Sequence, residues 1–456
     1  MQVARVLRSR RVVTPEGERP AAVHVAGGQV LAVTAYGDVP SGGEVHDYGD
    51  LVLLPGLVDT HVHVNEPGRT EWEGFDTATR AAASGGVTTL LDMPLNCLPP
   101  TTTVAALEEK RRAAEGRVHV DVGFWGGVVP GNRAERHALH AAGVFGFKGF
   151  LADSGVPEFP PLGSADLDDA ARDLAAVGAL LAVHAEWPDD LATPSGPAYA
   201  DWVASRPGRA EGEAVARLVE AVRRHGIRAH VVHACAAEAL AVLEEARAAG
   251  LPLTAETCPH YLALTAESLP ADATEAKCAP PVRDHANREA LWQALAAGVL
   301  DAVVSDHSPA PAALKSTGDC ATAWGGISSL ELGLPVVWTE ASARGFALTD
   351  VARWMSAGPA ALAGLTRKGA LTVGRDADVA VLDPDATWSV DPAALRARHK
   401  VTPYAGWSLR GRVVETWLRG DLVTGDVPRG RLLRRDGAAN SVPAPEDATG
   451  RQVGAR

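Results

Sequence analysis

Gly56-Leu57-Val58-Asp59-Thr60-His61-Val62-His63 follows a short apolar run, Leu51 to Leu54, and ends in two histidines one residue apart. Side chains at i and i+2 of a strand point to the same face. His61 and His63 are therefore expected to project together from the end of one buried strand, which is how two imidazoles come to share a metal ion. An H-x-H pair also arises by chance. The reading gains its weight from the rest of the chain, where four later strand ends each carry a residue able to complete the same site.

Outward from this strand, strand and helix patterns alternate. Strands are predicted to end at His61-Val62-His63, Leu90-Leu91-Asp92, Val122-Gly123-Phe124, Phe147-Lys148-Gly149, Val183-His184, Val232-His233, Ala255-Glu256 and Val304-Ser305-Asp306. The clearest helical stretches between them are Gly74 to Ser84, Thr103 to Ala114, Ala210 to His225 and Ala236 to Ala249. About eight βα units in ~250 residues is the count of a (β/α)8 TIM-like barrel. A doubly wound open sheet is the alternative, since strand order is not written in a sequence. Ahead of this region, Ala21-Ala22-Val23-His24-Val25, a Gly27-Gly28 turn and Gln29-Val30-Leu31-Ala32-Val33 read as a β-hairpin. Similar strands return at Asp378 to Leu382 and Arg412 to Leu418. From about Arg429 to Arg456 no apolar period is sustained, which reads as a surface extension or a disordered tail.

Composition narrows the classes. The 456 residues are 46% apolar and 22% charged, and 43 basic against 56 acidic residues give a net charge of −13. Such an acidic balance argues against nucleic acid or an anionic membrane as the main partner. The five cysteines, Cys97, Cys235, Cys258, Cys278 and Cys320, are odd in number and scattered. They fit reduced thiols in a cytoplasmic protein, and none is expected to be a metal ligand. No signal peptide core and no apolar run of ~20 residues is present.

In a barrel the chemistry sits at the C-terminal ends of the strands. His61 and His63 end the first predicted strand, Lys148 the fourth, His184 the fifth, His233 the sixth and Asp306 the eighth. Any one of these histidines alone reads as an ordinary core residue with its hydrogen bonds satisfied. Their gathering at one end of successive strands does not. Lys148 is the odd member, because a cation among histidines repels a metal. A buried lysine with a lowered pKa is able to add carbon dioxide and become a carbamate, an anion whose two oxygens can bridge two metals.

The segments GLVDTHVHVNEPGRTEWEGFDTATRAAASGGVTT, DMPLNCLPPT, FKGFLADSG, VHAE, ETCPHYL, KCAPPVR, VSDHSPAP and TAWGGISSLE resemble the cyclic amidohydrolase branch of the amidohydrolase superfamily, most closely its allantoin-hydrolysing members. The resemblance covers nearly the whole chain apart from the C-terminal tail. It implies a TIM-like barrel over residues 55–365 and a small β-sandwich domain built from both chain ends, residues 1–54 and 366–428, with 429–456 as the tail. It further implies two divalent metals, usually zinc, bridged by carboxylated Lys148 and a hydroxide. His61, His63 and Asp306 would hold the more buried ion, His184 and His233 the more exposed one, with Asp306 as general base and then acid. The expected partner is a small molecule, allantoin, opened to allantoate in purine breakdown, and the expected assembly is a homotetramer or homodimer. Hydantoin or dihydropyrimidine rings are the alternative substrates. A metal-free scaffold is the alternative of a different class.

Two features bear on the ring. Dihydroorotases of this branch typically read H-x-H-x-R-E-P-G, with the arginine on the substrate carboxylate; here Asn65 stands at that position, which suits an uncharged ring. Met93-Pro94-Leu95-Asn96 departs from their M-P-N-T, and Asn96 is a candidate substrate contact. Ala279, Ser308 and Gly325 or Gly326 are expected to offer backbone groups to the ring, as the matching loops do in relatives. His260 is read as either supporting the site or packing, and His307 as a simple hydrogen-bonding residue.

Overall fold

The computed structural model describes residues 3–436. Strand β1 (Leu57–Val62) is buried along its whole length, as suits a strand covered on both faces. After it come β2 (Val87–Asp92), β3 (Asp121–Phe124, resumed at Gly126–Gly127), β4 (Phe147–Phe150), β5 (Leu180–His184), β6 (Arg228–Val231), β7 (Leu253–Thr257) and β8 (Ala302–Val303). Each pairs in parallel with the next. The ring closes just beyond β8. Val62 bridges His307 in parallel, the His63 N–H donates to the His307 carbonyl at 2.8 Å, and the Ser305 N–H donates to Asp59 Oδ2 at 3.1 Å. A sheet that returns to its own first strand is a barrel, and the open-sheet alternative is excluded.

β3 breaks at Trp125, whose buried indole N–H donates to the Thr60 carbonyl at 2.9 Å. Gly146 lies against this ring, where a Cβ would come within 2.5 Å of it. The helices expected at 74–84, 103–114, 210–225 and 236–249 run Phe75–Ser84, Val104–Ala114, Gly208–His225 and Ala237–Ala248. The third starts two residues earlier than the pattern suggests. Pro207 at φ −66° opens it, while Gly208, a poor helix former, conceals the start. It stops at Gly226, whose φ of 66° is the left-handed cap that glycine adopts without a Cβ clash. Among the described residues no helix is long and apolar enough to cross a membrane.

Both chain ends enter one hydrogen-bonded sheet of eight strands among the described residues. The junction is Val52–Pro55, parallel to Arg5–Thr14 on one side and antiparallel to Val379–Ser389 on the other. Its apolar face gathers Leu7, Val23, Leu53, Val379, Val381 and Trp417. Of the two readings of the tail from residue 429, the described residues 429–436 form a surface extension and are not disordered. Gly430 N–H donates to Val118 O at 2.9 Å, Val122 N–H to Arg431 O at 2.9 Å and Leu433 N–H to Val122 O at 2.7 Å. This segment therefore adds itself beside β3, and a Cβ at Gly430 would collide with Val120 O. Its pairing is through backbone groups, which leave no apolar period to read. Residues 437–456 of the expected tail lie outside the described residues.

A buried ionic knot joins the sheet to the barrel. Lys368 Nζ sits 2.6 Å from Asp121 at the start of β3, 2.7 Å from Asp378 and 3.0 Å from Asp376. Arg419 Nη1 adds a contact to Asp121 at 2.5 Å. Removing one member of a buried ion cluster leaves uncompensated charge, at a cost of about 3–5 kcal/mol. Lys368→Ala is expected to lower unfolding stability by that amount in a denaturant titration; a loss under about 1 kcal/mol would show that the carboxylates find other partners or protons.

Candidate functional site

The expected donors converge at one end of the barrel. His61 is the penultimate residue of β1, and His63 follows its end. Lys148 lies within β4 and His184 ends β5. His233 and Asp306 lie in the loops just past β6 and β8 and take left-handed backbone angles, φ 40° and φ 44°. A residue with a Cβ adopts that region at an energetic cost, and here it turns a side chain back over the strand ends. Ligand atoms of His61, His233 and Asp306 lie within 4.8 Å of one another. His61 Nε2 and His63 Nε2 are 3.1 and 3.5 Å from Asp306 Oδ1. His184 Nδ1 and His233 Nε2 approach to 3.0 Å.

Three of the four rings have a partner behind them, while His233 Nδ1 has no hydrogen-bond partner. His61 Nδ1 meets Glu256 Oε1 at 2.6 Å, and His63 Nδ1 donates to the Leu95 carbonyl at 2.9 Å. Glu256 also holds His230 Nε2 at 3.0 Å. His184 Nε2 meets Glu186 Oε2 at 2.8 Å. Asp59 ties the first and last strands, accepting from the His61 and Ser305 N–H groups at 3.1 Å each. Glu186, Glu256, His230 and Asp59 had no assigned role in the sequence. The signal was present in V-H-A-E and at the end of β7, where an acid follows apolar strand residues.

Burial pushes the His61 and His233 rings well below the usual histidine value and lowers His184 too, against the pull of Glu186. The rings are therefore neutral lone-pair donors at pH 7. Lys148 has no exposed surface, and its Nζ has no hydrogen-bond partner. Burial pushes its pKa down to about 8, although Asp306 and Glu256 pull it upward. His61 Nε2 likewise lacks a hydrogen-bond partner. Neutral imidazoles, a carboxylate and buried nitrogens without hydrogen-bond partners are groups that could hold a divalent metal ion. Cys258 approaches the cluster, with Cys258, His260 and Asp306 ligand atoms within 4.8 Å. Burial and the neighbouring acids push its thiol well above its ordinary value.

A cavity of about 270 Å³ opens above the donors and is lined by Asn96, Ala279, Ser308 and Gly325. Two of these differ in detail from expectation. The Ser308 N–H is already donated to Ile327 O at 3.0 Å, leaving its hydroxyl and carbonyl. The close backbone approach is at Gly326, where φ is 122° and a Cβ would lie 2.4 Å from Ser308 O; Gly325 has open space. Asn65 does not line the cavity. It accepts from Asn96 Nδ2 at 3.3 Å and donates to Pro309 O at 3.2 Å, so it holds Asn96 in place. Lys277 does line the cavity, donating to the Ala323 and Ala321 carbonyls at 2.6 and 3.3 Å and lying 4.3 Å from the Trp202 ring centroid, so a neutral Asn65 does not make the wall free of positive charge. His307 hydrogen-bonds as expected, its Nδ1 accepting from the Ser329 N–H at 3.2 Å. His260 is buried, with neither ring nitrogen hydrogen-bonded.

Known proteins match the chain along most of its length. The amidohydrolase family model matches residues 52–423. The chain is 57% identical over 439 residues to an allantoinase of Streptomyces avermitilis, covering 94% of this chain and 98% of that protein. It is 43% identical over 444 residues to the allantoinase of Arabidopsis thaliana, covering 92% and 88%. Among solved structures, the L-hydantoinase (dihydropyrimidinase) of Arthrobacter aurescens superposes with a TM-score of 0.89 at 32% identity, covering 95% of this chain and all (100%) of that one.

A metal that binds only the folded chain stabilises it by about 2.7 kcal/mol at a free concentration a hundredfold above its Kd. Zinc added to chelator-treated protein is expected to raise unfolding stability by roughly that amount, and His61→Ala is expected to reduce the gain. Identical unfolding curves with and without the ion would contradict the reading of this cluster as a metal site.

Proposed function

The chain belongs to the amidohydrolase family, and we propose that it hydrolyses the hydantoin ring of allantoin to allantoate. The observation that carries the substrate is the 57% identity along 94% of the chain to a protein named for that reaction. Hydantoinases share the fold at 32% identity or less among the structures compared, so a hydantoin or dihydropyrimidine ring is the weaker reading. The donor positions are all filled, which disfavours a metal-free scaffold.

His61, His63 and Asp306 are assigned to one divalent ion and His184 and His233 to a second, with Lys148 between them. Zinc suits this set. With a pKa of about 8, roughly a tenth of Lys148 is uncharged at pH 7. That form bonds through its nitrogen lone pair to the carbon of carbon dioxide and releases a proton, leaving an anionic carbamate. When bound, the metal pair makes hydroxide available near neutral pH and offsets charge on the carbonyl oxygen. Asp306 accepts the proton from the attacking water and returns it to the ring nitrogen as the C–N bond breaks. Asn96, braced by Asn65, and the backbone groups of Ala279 and Gly325 orient the ring. Residues 55–365 form the catalytic unit in this reading. Assembly into a dimer or tetramer, a cytoplasmic setting and a role in purine breakdown rest on the family resemblance.

Purified, metal-replete protein is expected to open allantoin faster than hydantoin, dihydrouracil or dihydroorotate. Faster turnover of another ring would move the substrate and leave the metal assignment standing. Lys148→Ala is expected to lose most activity, and Asp306→Asn to lower kcat by about 10²–10⁴-fold. Full activity in either metal-replete variant would remove that residue from the mechanism.

A further inference from the structure

Two carboxylates reach the histidine cluster from behind, and they are held differently. Glu256 is shared between His61 Nδ1 and His230 Nε2. Glu186 serves a single ring and is itself fixed. Arg206 Nε donates to Oε1 at 2.9 Å and Nη2 to Oε2 at 2.5 Å, while His184 Nε2 lies 2.8 Å from Oε2. Glu186 is fully buried. A carboxylate gripped at both oxygens by a planar guanidinium stays an anion and cannot turn. An anionic carboxylate only accepts, so it takes the His184 proton at Nε2 and leaves the lone pair on Nδ1. Nδ1 is the atom that lies 3.0 Å from His233 Nε2. The ring also stacks on Phe150, centroids 4.6 Å apart and planes 13° from parallel. Stacking alone permits a half-turn of the ring that would carry Nδ1 away; the bond to Glu186 removes that freedom.

We propose that Glu186, clamped by Arg206, is the positioning residue for the metal held by His184 and His233, and that it sets the affinity of that ion without setting the affinity of the other. This rests on the assignment of those two histidines to one ion. The second ion has its own brace in Glu256, so the two sites are tuned by separate carboxylates. Arg206 also forms part of the cavity wall and lies over the Trp202 ring, 4.9 Å from its centroid. One guanidinium thus belongs both to the metal brace and to the surface that meets substrate.

The test is zinc binding to the full-length, metal-stripped chain, measured by competition with a chromophoric chelator, with cobalt(II) absorption spectra alongside. Glu186→Gln is expected to bind one ion as the unaltered protein does and the other about 10–100-fold more weakly, with one of two cobalt signatures altered. Arg206→Lys keeps the charge but loses the fork, and is expected to weaken the same ion by a smaller factor. Unchanged affinity for both ions would overturn the proposal, as would equal weakening of both, which is the mark of general damage. Should Glu186→Gln not fold by circular dichroism, Arg206→Lys decides by the same criterion. The readout does not depend on which ring is opened; fewer than two ions on the unaltered chain would instead overturn the donor assignment beneath it.

Discussion

A fully buried amine among imidazoles is held as a cation only at a cost. Lys148 has no solvent and no hydrogen-bond partner, and the groups nearest its charge are other potential cations as well as Asp306 and Glu256. Desolvation of this kind costs several kcal/mol per ion in real proteins. Burial lowers the pKa of the amine to about 8, which leaves a fraction of it uncharged near neutral pH. In the proposed reading a carbamate at Lys148 would give the four histidines a negative neighbour, able to draw two metals together where a cation would drive them off.

Holding such a cluster open demands support from behind. Burial lowers the His61, His184 and His233 rings, which removes the charge that would otherwise pin them; Glu256 orients His61, Glu186 orients His184, and the Leu95 carbonyl orients His63. The barrel adds a second kind of support. Asp59 bonds to backbone on both sides of the closure, which fixes the first strand, with two donors, against the last, with Asp306. Left-handed turns at His233 and Asp306 complete it, their local strain offset by the packing of the surrounding loops. The small sheet contributes at a distance, locking β3 through Asp121 and Lys368.

Much of this was legible in the chain. Strand-end histidines spaced one βα unit apart point to a barrel, and the fold gathers them with Lys148 and Asp306 at one end. What escaped has physical causes. Barrel closure depends on a pairing between residues 62 and 307, which no local pattern encodes. Glu186 and Glu256 look like any acid after a strand until the histidine in front of each is placed. Asn65 stands where an arginine would bind substrate, yet its amide is occupied by Asn96 and Pro309, so its meaning lies one residue further in. Residues 429–436 pair through backbone, a property independent of side-chain pattern.

The central claim is that Lys148 becomes an anion, and carbon-13 NMR tests it most directly. Protein loaded with zinc in ¹³C-bicarbonate is predicted to show one slowly exchanging carbamate carbon per chain, absent from Lys148→Ala treated alike. An active, zinc-replete protein with no such signal, or the same signal in the alanine variant, would contradict the account.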